Sequence, residues 1–202
     1  MGIREEQKLF DESNLFLEAR IKALAKVDAQ RATREDIFVA EAVAFRVYRG
    51  YERFARALFL HSCATTQTRN GQRIISKLKC ADWSTTERIL KAGNRFLNWG
   101  KPETTKKLAE LVFQNGFPIS DVISPVYSTL VDLQRIRNFI AHDSSEARSG
   151  FDKAGQKYLR TGSPVPDSAG LLLLSRKYPR RAQAIRQIFR KVAALSKIYS
   201  QL

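Results

Sequence analysis

The chain has little of what secreted, metal-binding or membrane-spanning proteins need. Its 202 residues contain only two cysteines, Cys63 and Cys80, with no CxxC spacing and no Cys/His cluster, which argues against a disulfide framework and a zinc site. No apolar run approaches the roughly 20 residues of a transmembrane helix. The opening Met1-Gly2-Ile3-Arg4-Glu5-Glu6 lacks the apolar core of a signal peptide, and Glu6 stands where a myristoylation motif carries Ser or Thr. There is no internal repeat and no low-complexity tract. These absences predict a cytoplasmic protein with no resident metal or cofactor and no membrane partner.

Acids are also scarce, at 20 against 35 Lys and Arg, for a net charge of +15. From Phe151 onward there are eleven Lys or Arg and two acids, so +9 of that charge falls in the last quarter. Such a surface attracts a polyanion, most often nucleic acid, through counterion release. Solubility or an acidic protein partner are the other readings of the same charge. With 44% hydrophobic residues, the chain is long enough for one domain with a sizeable core.

Apolar periodicity predicts an all-α fold. Residues 5–28 carry Leu9, Phe10, Leu17, Ile21, Leu24 and Val27 at helical spacing, and residues 34–62 form a longer helix apolar over much of its circumference. The latter presents Glu41, Tyr48 and Glu52 on one face, with Glu52 and Arg56 spaced for an ion pair or Glu52 free to orient site residues. Ile74, Ile75 and Leu78 suggest a short helix. Ser84-Thr85-Thr86-Glu87 reads as a capping box opening a helix to about residue 98, and Pro102 starts another that stops at Gly116. Residues 144–179, rich in Gly, Ser and Pro, read as a long irregular segment, with Lys157–Arg160 and Leu171–Leu174 pairing as a small hairpin. A basic helix over residues 180–202 closes the chain.

The helix before that segment carries the chemistry. Ser124 is a candidate N-cap, Pro125 fits the first helical position, and Val126, Leu130, Leu133, Ile136 and Ile140 make an inward stripe. At about 100° per residue, Asn138 and His142 share a face with Arg137 just beside them. Arg56 and His61 repeat the Arg-x4-His spacing, but alanine follows that arginine and His61 lies in an apolar run, so His61 reads as structural. The second copy differs by Asn138 and by ending at once in Asp143-Ser144-Ser145, which leaves His142 accessible.

Arg137, Asn138 and His142 resemble the Arg-Asn-x3-His motif of the HEPN superfamily, all-helical domains that carry it on a long helix late in the fold. The resemblance implies a HEPN-like helical bundle, a homodimer whose two motifs face one another, and metal-independent endoribonuclease activity. It also implies a toxin with a cognate antitoxin protein, or an antiphage-defence effector.

The residue types suit that reaction. Cleaving RNA without a metal needs a base for the ribose 2′-hydroxyl, an acid for the departing 5′-oxygen, and cationic stabilisation of the phosphorane. Histidine serves both proton transfers near neutrality, two facing copies of His142 would divide them, and Arg137 offers a two-pronged fork to phosphate oxygens. Asn138 is assigned to holding His142 or a phosphate oxygen. Tyr158, Arg160, Arg176, Lys177 and Tyr178 combine rings and cations suited to single-stranded RNA, and Arg186, Arg190 and Lys191 extend that surface along the last helix. The bland reading has His142 stabilising a helix C-terminus and Arg137 pairing with an acid. A module that binds RNA or an antitoxin without turnover is the alternative function. A DNA-binding regulator lacks a recognisable helix-turn-helix.

Overall fold

The computed structural model describes residues 2–78, 80, 82–92, 97–177 and 182–202. Regular structure among them is helical, so the chain is all-α: α1 (Ile3–Leu24), α2 (Arg34–Ala64), α3 (Trp83–Lys91), α4 (Pro102–Val112), α5 (Ile119–Ile123), α6 (Tyr127–Ala141), α7 (Ser145–Tyr158), α8 (Ala169–Leu174) and α9 (Ala184–Ser200). Extended pairing among the described residues is limited to isolated bridges, Gln67 with Arg73 and Ser76 with Phe113. No described helix is long and apolar enough to cross a membrane. The residues gather into two compact units, one of residues 1–11, 50–127 and 193–202, the other of residues 12–49 and 128–192.

In the first unit, aromatic rings fill the interior. Phe10 stacks on Phe54 at 4.9 Å between centroids, Tyr199 meets Phe54 edge-on, and Phe59 touches Trp99 and Phe113 at 5.2 and 5.1 Å. Such pairs add about 0.5–1.5 kcal/mol each beyond the area they bury. Helix α3 starts one residue before the expected Ser84, because Asp82 is the N-cap and its carboxylate accepts the Thr85 amide at 2.7 Å. The expected continuation of α3 to residue 98 runs through residues 93–96, which lie outside the described residues. The helix expected around Ile74 to Leu78 is absent: Lys77 donates its amide to Val112 and Gln114 donates to Ile75, so this stretch is extended backbone beside the end of α4. Buried Ile74 followed by exposed Ile75 is the alternation of such a segment. Helix α5 was hidden by its length of five residues, too short to display a period.

The second unit contains the largest departure from expectation. Residues 144–179 are mostly helical, and no hairpin forms: Lys157 and Tyr158 close α7, while Leu171–Leu174 belong to α8. Ser144 caps α7 by accepting the Ala147 amide, and Ala147, Phe151, Ala154 and Tyr158 are buried at spacings of four, three and four. Gly150 and Gly155 disguised that stripe. Gly155 is a packing residue, since a Cβ there would stand 2.7 Å from Val165. Helix α8 buries Leu172, Leu173 and Leu174, and Gly170 brings it so near α2 that a Cβ would lie 2.5 Å from the Ile37 carbonyl oxygen. Glu41 fastens the same helix, accepting from the Gly170 amide at 2.9 Å and the Ser168 hydroxyl at 3.2 Å. Helix α9 begins at Ala184; residues 180–181, where the expected helix starts, lie outside the described residues.

Candidate functional site

Helix α6 places the motif. Leu130, Leu133 and Ile136 are fully buried, and Arg137, four residues after Leu133, lies on the same face, while Asn138 stands at the edge of that stripe; both are half-buried. The helix begins at Tyr127, because Ser124–Val126 form a 3-10 turn with Pro125 inside it. At the other end His142 lies just beyond the last helical residue, yet its amide donates to the Asn138 carbonyl at 2.9 Å. That bond continues the helical ladder by one residue, so His142 and Asn138 follow the same face while the imidazole stands exposed.

Arg137 has a built seat. Its guanidinium carbon lies 5.4 Å from the Phe45 ring centroid and 5.3 Å from that of Tyr48, both on α2, and Nη1 donates to Asn138 Oδ1 at 3.2 Å. Cation–π contacts of this kind contribute about 0.5–2 kcal/mol, increasing with desolvation. Nε is buried with no hydrogen-bond partner. Among the described residues no acid bonds the fork, so its positive charge is not neutralised by the groups that position it. Asn138 thus orients Arg137 directly, whereas the sequence assigns it to holding His142 or a phosphate oxygen.

Phe139, between the motif residues, stacks on Phe151 of α7 at 4.1 Å with the rings 9° from parallel. Arg148 lies 5.7 Å from both centroids and bonds Asp152 at 3.0 Å and Asp167 at 2.9 Å. Further back on α6, Asp132 is buried and accepts from Lys157 at 2.8 Å, with Tyr158 at 3.4 Å and Arg135 at 3.8 Å. Burial raises the Asp132 pKa above the usual carboxylate value, and Lys157 and Arg135 partly oppose that shift. These contacts bind α7 to the motif helix. Among the described residues no three His, Cys, Asp or Glu side chains cluster as metal ligands.

The expected RNA-contacting residues divide. Tyr158 is buried against Asp132, so its ring is no stacking platform, and burial pushes its hydroxyl pKa up. Arg160, Arg190 and Lys191 are exposed, and Lys177 and Arg186 are half-buried. Arg176 is exposed but donates to the Ala25 carbonyl at 2.9 Å. Tyr178 lies outside the described residues. Arg137, Asn138 and His142 share one unit with these cations, whereas half-buried Glu52 belongs to the other. Arg56, the expected partner of Glu52, makes a two-point bond to Glu87 at 3.1 and 2.8 Å. From the sequence Tyr48 belongs to a polar face of α2 and Phe45 to its apolar positions; their i,i+3 spacing is the signal that they share a face. Comparison with family models, curated proteins and solved structures finds no match, so the family resemblance rests on Arg137, Asn138 and His142 alone.

Proposed function

We propose that the chain is a metal-independent endoribonuclease that cleaves RNA by attack of the 2′-hydroxyl on the adjacent phosphate, leaving a 2′,3′-cyclic phosphate. One observation carries the reading: an arginine oriented by Asn138 and two rings rather than by an acid, with an exposed histidine one helical turn beyond Asn138. The fork is thereby available to phosphate oxygens, and the imidazole is accessible for proton transfer. A single histidine serves poorly as base and acid in one turnover, so the reaction takes two copies of His142 across a homodimer. The excess of basic residues favours RNA as substrate, with Arg160, Arg186, Arg190 and Lys191 gripping phosphates without reading sequence. A toxin held by an acidic antitoxin, or a defence effector, is the biological setting of such an activity.

The test is incubation of wild type and His142→Ala with total RNA in excess EDTA, with fragment 3′ ends identified by mass spectrometry. Cyclic phosphates from wild type alone support the nuclease; activity that requires Mg²⁺ contradicts it. The half-buried seat of Arg137 favours a second reading, a module that binds RNA or a protein partner without turnover, in which Arg137 is architectural. Retained RNA affinity with no cleavage by either protein would select it.

A further inference from the structure

A second cationic site lies in the unit of residues 1–11, 50–127 and 193–202, and nothing in the nuclease reading uses it. A cavity of about 420 Å³ there is lined by Ile3, Arg4, His61, Gln67, Arg69 and Tyr199, among others, and none of its lining residues is an acid. Three elements bring these side chains together. Helix α1 is tied to α9 by the Gln7 amide, which donates to the hydroxyls of Ser196 at 2.9 Å and Ser200 at 2.8 Å. The loop after α2 is tied to the end of α9: Thr68 donates its hydroxyl to the Leu202 carbonyl, and Asn70 donates its side-chain amide to the Gln201 carbonyl at 2.9 Å. Arg4 and Arg69 therefore arrive at the Tyr199 end of α9 on two separately anchored elements.

The electrostatics agree with that placement. Burial raises the Tyr199 pKa, while Arg69 and Arg4 both pull it down, so both guanidiniums act on that one hydroxyl. Burial alone lowers the His61 pKa, keeping the imidazole neutral with a donor and an acceptor nitrogen. The first turn of the 22-residue α1 also borders the cavity, adding the positive end of a helix dipole, although Glu5 already accepts the Gly2 amide at 2.9 Å. Two guanidiniums at a recess with no acid in its lining leave a positive potential there, which favours an anion.

We propose that this cavity binds a phosphomonoester of nucleotide size, its phosphate held by Arg4, Arg69 and the Tyr199 hydroxyl. Two forks and a phenol match the three acceptor oxygens of a dianionic phosphate, more donors than a lone carboxylate uses. The volume exceeds what a bare ion fills, and Ile3 supplies apolar wall for an organic group. The site is separate from Arg137, Asn138 and His142, and stands whether or not the chain cleaves RNA.

Calorimetry on the full chain with 5′-AMP, adenosine and inorganic phosphate tests this. AMP is expected to bind one to one, and Arg4→Ala and Arg69→Ala each to weaken binding by roughly tenfold or more, the effect of losing a charge-assisted contact. Tyr199→Phe weakens it less. Lys22→Ala, which removes one exposed charge elsewhere, leaves it unchanged. Both arginines are exposed, so these variants keep the fold, which an unchanged thermal melt verifies. AMP binding more tightly than phosphate assigns the organic wall a role, whereas equal affinity makes free phosphate sufficient and refutes the nucleotide-sized ligand. Adenosine binding as tightly as AMP, no saturable binding, or a response to Arg4→Ala and Arg69→Ala no larger than to Lys22→Ala would overturn the proposal.

Discussion

Arg56 and Arg137 each precede a histidine at the same Arg-x4-His spacing, and their surroundings differ in kind. Arg56 spends its fork on Glu87, which also accepts from the Trp99 indole at 3.2 Å, so its charge is neutralised within the fold. The neighbouring carboxylate is held below its usual pKa by that bond. Arg137 is seated by two rings and an amide, which fix its direction, and among the described residues no acid bonds it. His61 is half-buried with its pKa lowered by desolvation; His142 is exposed. Spacing therefore identifies a geometry, and the partners of the arginine distinguish one copy from the other.

The sharpest contrast is Arg137→Lys against Arg56→Lys. A lysine keeps the charge but loses the planar fork, so at position 137 RNA cleavage should fall by about 100-fold while RNA affinity changes little, as measured by initial rates and filter binding. At position 56 cleavage should be unchanged. Next in size is the support beneath the motif. Phe151→Ala removes a fully buried ring stacked on Phe139 and should cost about 3–5 kcal/mol in denaturant unfolding. Arg56→Ala should cost about 1–2 kcal/mol by the same measurement, leaving Glu87 with Trp99 alone; partial exposure and screening keep the loss small.

The smallest effect separates the histidines by pH. The His61 pKa is depressed by burial, so the folded state binds fewer protons there than the unfolded chain, whose ordinary value is 6.5. Stability from this site is fully present above 6.5 and declines as pH falls through the lower folded value. Urea melts from pH 7.5 to pH 5 should show a decline in wild type that His61→Gln reduces. An identical decline in the variant would remove burial of His61 from the account.

The long helices were legible because their periods run for many turns: α1, α2 and α6 all follow stripes visible in the chain, and Arg137, Asn138 and His142 stand out by residue type and by the break after Ala141. Helix α7 was not, since Gly150 and Gly155 resemble loop composition until Arg135 and Val165 are seen packing where side chains would be. Leu171–Leu174 satisfy a strand and a buried helix equally, and Glu41, far away in the chain, decides by capping α8. The seat of Arg137 was half legible: the i,i+3 spacing puts Phe45 and Tyr48 on one face of α2, but no local pattern says that an arginine about ninety residues later packs there.

The most direct measurement is RNA cleavage in excess EDTA by wild type, His142→Ala and His61→Gln side by side. Removing His142 should lower the rate by about 100- to 10,000-fold, the range for loss of a general acid or base, while His61→Gln cleaves as wild type does. Equal activity in wild type and His142→Ala, or loss confined to His61→Gln, would contradict the assignment of the chemistry to Arg137, Asn138 and His142.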